Sequence, residues 1–212
     1  VVFLSQFLRI PDMQNDNFNT YLASNIDIDE QAISLLPASC KTVTLKKGDF
    51  VLREGETCKH TFFIESGLLK QYTLDNKGKE HILLFAPEHW FVANIESVHF
   101  NRPSNYFIEA VEDTRILLVD EELILRLSQY SRAFLEFNNK LLHSHILSLQ
   151  TRVTQLLAAS AEERYLDFIK SYPQLAMRVP QWMIAAYLGI TPESLSRVRG
   201  ELTERNNRSR EA

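Results

Sequence analysis

The apolar pattern of this chain changes period twice. Between Lys41 and Ala86 it comes in short runs rich in β-branched and aromatic residues: KTVTL, DFVL, HTFFIE, LLKQYTL and HILLFA. Gly48, Gly55, Gly67 and Gly78 punctuate them. Turn signals at such short intervals predict an all-β sandwich or barrel of the jelly-roll kind. LDNKGKE (74–80) predicts a hairpin tip, because Asn and Gly accept the positive φ of a tight turn. YFIEAVED (106–113) and TRILLVD (114–120) predict a further strand pair. A helical lead-in, FNTYLASNI and DEQAISLL, is expected ahead of the strands.

From residue 121 to residue 170 there is neither glycine nor proline, and Leu, Glu and Gln abound. That composition predicts helix. Leu135, Leu142, Leu149 and Leu156 recur every seven residues, and Asn139, Ile146 and Val153 lie four residues after the first three. These positions form a heptad seam with one polar member. Such a stripe either packs on the chain's own core or joins two copies. Its regularity favours a parallel homodimeric coiled coil, with Asn139 fixing the register. A further helix, AEERYLDFIKSY, should end at Pro173. The expected plan is α+β: an N-terminal jelly-roll domain over 1–120, a dimerisation helix over 121–160, and a C-terminal helical domain over 161–212.

Within that last part, residues 181–200 read as helix, turn, helix. Pro180 suits a helix start. Met183, Ile184, Ala185 and Leu188 give the first helix an apolar face. Gly189 supplies a left-handed stop and Ile190 fills the angle. Thr191 caps the second helix, Pro192 opens it, and Glu193 suits its positive end. Leu195, Val198 and Leu202 then face inward at 3/4 spacing. Thr191, Glu193, Ser194, Ser196, Arg197 and Arg199 are left as candidate contacts to base edges and phosphates in a major groove. A helical hairpin with a Gly turn is also an ordinary core corner, so the spacing matters: it is that of a helix-turn-helix. The polar tail from Glu204 is expected to fray.

Charge adds a limit. Lys and Arg number 23 against 27 Asp and Glu, a net −4, so bulk charge does not draw the chain to polyanions. Locally, six arginines oppose four acids from Arg178 onward. DNA affinity should therefore be moderate and salt-sensitive. Cys40 and Cys58 have no metal-ligand spacing, which fits a reducing cytoplasm. VVFLSQFLRIPDMQND lacks the layout of a signal peptide, and no apolar run has membrane-span length, so no membrane partner is expected.

A β-roll, a long dimer helix and a terminal helix-turn-helix, in that order, resemble the Crp/Fnr family of bacterial transcription regulators. The resemblance runs from about Tyr21 to Leu202. LKKGDFVLREGETCKHTFFIESGLLK is similar to the family's cyclic-nucleotide-binding roll, and IAAYLGITPESLSRVRGEL to its shorter Bacteroidetes-type members. The resemblance implies double-stranded DNA, a second copy and RNA polymerase as partners. It puts Glu193 and Arg197 at base and backbone contacts, and Pro192 where many relatives carry a base-reading Arg. It implies no required cofactor, but a small effector held by the segment Phe91–Tyr106. Cyclic-nucleotide binders of the family carry a Gly-Glu pair there and, further on, an Arg-Ser pair. Here, after Phe91, Val92, Ala93 and Asn94 occupy the first place, and Ser104 and Asn105 the second, so neither the carboxylate nor the guanidinium is present. A buried phosphate without a cation is costly, which argues against cAMP. Arg102 lies two residues early and is the nearby cation available to replace the clamp. Two cysteines cannot ligate the four-cysteine iron–sulfur cluster of other members, and the six histidines give no selective haem signal. TERNNRSREA does not read as the β-hairpin wing of many relatives.

Two other classes stay open. One is a ligand-sensing regulator that acts on a protein partner and has lost DNA recognition. The other is a cupin-like metalloenzyme, with Glu80, His81 and His89 near plausible ligand places but without the His-x-His spacing of that fold.

Overall fold

The computed structural model describes residues 18–27 and 40–211. Eight strands form two antiparallel sheets: β1 (Lys41–Leu45), β2 (Phe50–Leu52), β3 (His60–Ser66), β4 (Leu69–Leu74), β5 (Glu80–Ala86), β6 (Phe91–Val92), β7 (Phe107–Ala110) and β8 (Thr114–Asp120). The sheet orders are β1-β8-β3-β6 and β2-β7-β4-β5. Helices are α1 (Phe18–Asn25), α2 (Ile95–Phe100), α3 (Glu121–Tyr130), α4 (Arg132–Ala158), α5 (Ala161–Ser171), α6 (Leu175–Arg178), α7 (Gln181–Leu188) and α8 (Pro192–Glu211). The expected helix at 29–36 lies outside the described residues. The chain divides into two compact units. Of the described residues, one unit comprises 18–27 and 40–73 with Leu83–His145; the other comprises Leu74–Ile82 with 146–211.

In the first unit, β3 and β8 are apolar on both faces. Phe62, Ile64 and Ile116 point between the sheets, where they meet Leu45, Leu52, Leu69, Val92, Ile108 and Ala110. Phe63, Leu117 and Val119 point the other way, onto Phe18, Tyr21 and Leu22 of α1, Leu123 and Leu127 of α3, and Phe134 of α4. Phe63 sits at the centre of that layer, its ring 5.0–5.1 Å from those of Phe18, Tyr21 and Phe91. The expected strands from 41 to 86 all form. The expected pairing of 106–113 with 114–120 does not: β7 pairs with β2 and β4, while β8 pairs with β1 and β3. The chain changes sheet between them, so both sheets close the sandwich.

Two features of this unit were not legible. Lys70 is 2% exposed, with Nζ 3.3 Å from Glu109 Oε2 and 4.3 Å from the Tyr72 ring centroid. The Tyr72 hydroxyl donates to the same carboxylate at 3.0 Å. Lys70 and Glu109 are direct cross-strand neighbours of β4 and β7. Gly67, at φ +95°, turns the chain from β3 into β4. A Cβ there would stand 2.5 Å from Thr114 Oγ1 and 2.6 Å from the Asp113 carbonyl oxygen.

The segment 121–170 is helical, with a break at Ser160 ahead of the separately expected helix AEERYLDFIKSY and a second break at Ser131, inside the span expected as the dimerisation helix. Ser131 is extended (φ −128°, ψ 112°), and its Oγ accepts from Phe134 N at 3.2 Å, capping α4. Ser160 begins α5 with a capping box: its Oγ accepts from Glu163 N at 3.2 Å, and Glu163 Oε2 accepts from Ser160 N at 2.7 Å. Ser-x-x-Glu at 160–163 was a readable start signal. None of the described helices is long and apolar enough to cross a membrane.

Replacing Phe63 with Ala should cost about 3–5 kcal/mol, since the aromatic layer around it cannot collapse fully. Gly67→Ala should cost about 3 kcal/mol from left-handed strain plus overpacking. Urea unfolding of both variants against the parent measures each.

Candidate nucleic-acid interface and effector segment

The second unit is built around the α7 turn. Pro180 leads α7, whose Met183, Ile184, Ala185 and Leu188 are buried. Gly189 adopts φ 68°, ψ 31°, and Ile190 N reaches back to the Ala185 carbonyl at 3.0 Å. That left-handed stop satisfies helix-end carbonyls that would otherwise be orphaned. Thr191 Oγ1 then accepts from Ser194 N at 3.2 Å, capping α8. Leu195 and Val198 are 1% and 6% exposed. Thr191, Glu193, Ser196, Arg197 and Arg199 are exposed and Ser194 is half-buried, so none of the six candidates is buried under the turn; Glu193, Ser196 and Arg197 lie opposite Leu195 and Val198, with Ser194 and Arg199 on the flanks. The Glu193 carboxyl is held below the usual carboxylate range by its own backbone N–H and the Thr191 hydroxyl, and it stays ionised into mild acid.

The helix does not end near Gly200. It runs on to Glu211, which corrects the expectation of a frayed tail. Residues 203–211 are helical and form no hairpin wing. Arg205 anchors the extension to α5 through a fork on Glu162, at 2.6 and 3.2 Å. No sequence signal marked that pair, since its members lie 43 residues apart.

Along α4, Leu135, Leu142, Ile146, Leu149, Val153 and Leu156 are 40–54% exposed, and Asn139 is exposed with them. None of these seam positions is buried in the chain's own core. The first half of α4 is anchored instead by Phe134, which belongs to the aromatic layer.

The effector candidates separate. Val92 lies in the inter-sheet core and Phe91 packs on the aromatic layer. Ala93 is half-buried beside them. Asn94 and Ser104 come together: Asn94 Nδ2 donates to Ser104 Oγ at 2.5 Å, and Asn94 Oδ1 accepts from Ser97 N at 2.9 Å as the cap of α2. Ser104 Oγ also bonds Tyr106, accepting from its N–H at 3.0 Å. Ser97 Oγ accepts from Cys58 N at 2.6 Å. This buried network is neutral and internally paired. Arg102 does not reach it, contrary to the possible replacement of the clamp. Its side chain is 68% exposed and pairs with Glu96 at 3.1 Å. Asn105 also turns outward, to Glu96 at 3.5 Å. Among the described residues, no three His, Cys, Asp or Glu side chains are grouped to hold a metal.

The described residues thus combine a β-roll with a helix-turn-helix. Residues 42–131 match the cyclic nucleotide-binding domain family. Electron transport regulator A of Shewanella oneidensis is 26% identical over 169 residues, covering 74% of this chain and 66% of that protein. The match thus spans just under two thirds of that relative's length. FixK2 from Bradyrhizobium japonicum superposes with a TM-score of 0.68 at 17% identity, covering 79% of this chain and 86% of that one. A Crp/Fnr-family regulator from Eubacterium rectale superposes with a TM-score of 0.63 at 20% identity, covering 84% and 85%. The chain thus carries a match to the cyclic nucleotide-binding domain and is similar in fold, over most of its length, to a protein described as a Crp/Fnr-family regulator.

Asn94→Ala should remove the α2 cap and unpair Ser104, destabilising the roll by about 1–3 kcal/mol in urea unfolding.

Proposed function

We propose that this chain is a homodimeric, sequence-specific DNA-binding transcription regulator. Two α4 helices join along Leu135, Asn139, Leu142, Ile146, Leu149, Val153 and Leu156. Each copy presents Thr191, Glu193, Ser194, Ser196, Arg197 and Arg199 to one half of a two-fold-symmetric site. The observation that carries this reading is the division of α8: Leu195 and Val198 buried under the turn, the polar candidates outside. The uncovered seam supports it, because two recognition helices must be held about one DNA turn, roughly 34 Å, apart. RNA polymerase is the partner that such a regulator would address, in the cytoplasm where DNA and polymerase are found.

The effector is a small molecule other than cAMP. Neutral groups at Asn94 and Ser104 already satisfy one another, and Arg102 is committed to Glu96 on the surface. A cyclic phosphate placed there would be buried without a cation. A second reading, regulation of a protein partner without DNA, draws support from Glu201 and Glu204. They follow Arg197 at four and seven residues on the same helix face and weaken its pull on phosphates.

Selection from random duplex DNA at two salt concentrations, with and without cAMP, tests both readings. A symmetric site enriched equally with and without cAMP is expected. Enrichment that requires cAMP would overturn the effector assignment, and no enrichment in any condition would favour the protein-partner reading. Arg197→Ala should weaken binding to all sequences and lower the salt slope by about 1, whereas Glu193→Ala should relax base choice at one position of each half-site by about 1–3 kcal/mol. Because Glu193 is ionised well below neutrality, that base choice should be the same at pH 5.5 and pH 7.5 in competition binding.

A further inference from the structure

The proposed dimer seam and the turn of the helix-turn-helix touch. Leu156 is a seam residue, and a Cβ built on Gly189 would stand 3.2 Å from its Cδ2. One turn earlier, Arg152 adjoins the seam residue Val153. Its guanidinium carbon lies 3.8 Å from the centroid of the Tyr187 ring. Its Nη2 donates to the Tyr187 carbonyl oxygen. That carbonyl is in the last turn of α7, two residues before the left-handed Gly189. Helix-end carbonyls lack helical partners, and a cation there also meets the negative end of the dipole.

The same contact is braced from α5. Gln155 Nε2 donates to Asp167 Oδ2 at 2.6 Å, and Arg164 Nη1 donates to the Ala159 carbonyl at the end of α4 at 2.6 Å. Phe168 packs on the Tyr187 ring with centroids 5.4 Å apart. Burial lowers the Arg152 pKa, but a guanidinium stays charged regardless. A half-buried cation on an aromatic face and a helix-end carbonyl is a directional link, unlike the apolar contacts around it.

We propose that Arg152 is a positioning residue that transmits the geometry of the α4 seam to the α7–α8 turn, and so fixes the half-site spacing the dimer accepts. This rests on the dimeric DNA-binding reading above. Arg152 itself points at Tyr187 and not at the outer side of α8, so it reads no base. Its effect is on where the two recognition helices stand. One added base pair moves a half-site by about 3.4 Å and turns it by about 35°. A stiff link makes that displacement costly, and a loosened α7–α8 turn absorbs it.

The test is binding of the full chain to operators carrying the selected half-sites with spacers from two base pairs shorter to two longer. The parent, Arg152→Gln and Arg152→Lys are compared, each checked by thermal melting. The parent should lose about tenfold in affinity per base pair of spacer change, and Arg152→Gln about twofold or less. Base preference within a half-site should be unchanged in Arg152→Gln, which a general loss of folding would not produce. Arg152→Lys keeps charge and a donor but not the planar fork, and should recover part of the spacing discrimination. If Arg152→Gln does not fold, Arg152→Lys carries the test through its weaker discrimination than the parent. A folded variant with the parent's full spacing penalty overturns the inference while leaving the DNA-binding reading intact. Failure of the parent itself to select a symmetric site overturns both.

Discussion

The structure depends on one constraint: β3 and β8 must be covered on both faces. Alternate side chains of a strand point to opposite sides. Here both sides are apolar, with Phe62, Ile64 and Ile116 on one and Phe63, Leu117 and Val119 on the other. The second sheet covers the inner face. Only helices can cover the outer one, and α1, α3 and the start of α4 do so. Phe134 therefore fixes where the long helix begins. The apolar seam that follows is free of the core because the core has already been completed.

The segment Phe91–Tyr106 pairs its own polar groups. A charged clamp is worth having in a buried place only when an opposite charge arrives. Asn94 and Ser104 need no visitor, since cap, amide and hydroxyl saturate one another and Ser97 carries the network to Cys58. The residues with charge in this stretch, Glu96 and Arg102, pair outside. The β-roll fold is thus present, with a neutral, self-paired network at Asn94 and Ser104.

In the second unit, charge is used for placement more than for attraction. Arg205 ties the α8 extension to α5, Arg164 caps α4, and Arg152 holds the end of α7. Each meets either a carboxylate or a helix-end carbonyl, the partners that give guanidinium its strongest bonds. Arg197 and Arg199 remain exposed on α8. On the proposed DNA-binding reading, that small excess of positive charge serves recognition without making the domain a general polyanion binder.

The sequence by itself determined what depends on local period and backbone freedom. Glycine spacing marked the strands from β1 to β5, the heptad marked the uncovered side of α4, and Gly189 with Thr191 marked the turn and the inward and outward residues of α8. These signals are legible because each is decided within one or two turns or one hairpin. Ser160 marked the start of α5 in the same way, whereas the helix-cap signal of Ser131 was hidden by the run of good helix formers around it. Tertiary structure alone decided the rest. β7 and β8 are adjacent in the chain but lie in different sheets, because closing the sandwich outweighs the proximity that would pair them. Lys70 meets Glu109, Arg205 meets Glu162, and Arg152 meets Tyr187 across 39, 43 and 35 residues, separations at which composition and period carry no information about contact. Arg102 likewise pairs with Glu96 at the surface, where its charge stays hydrated, a placement that only the folded surroundings set.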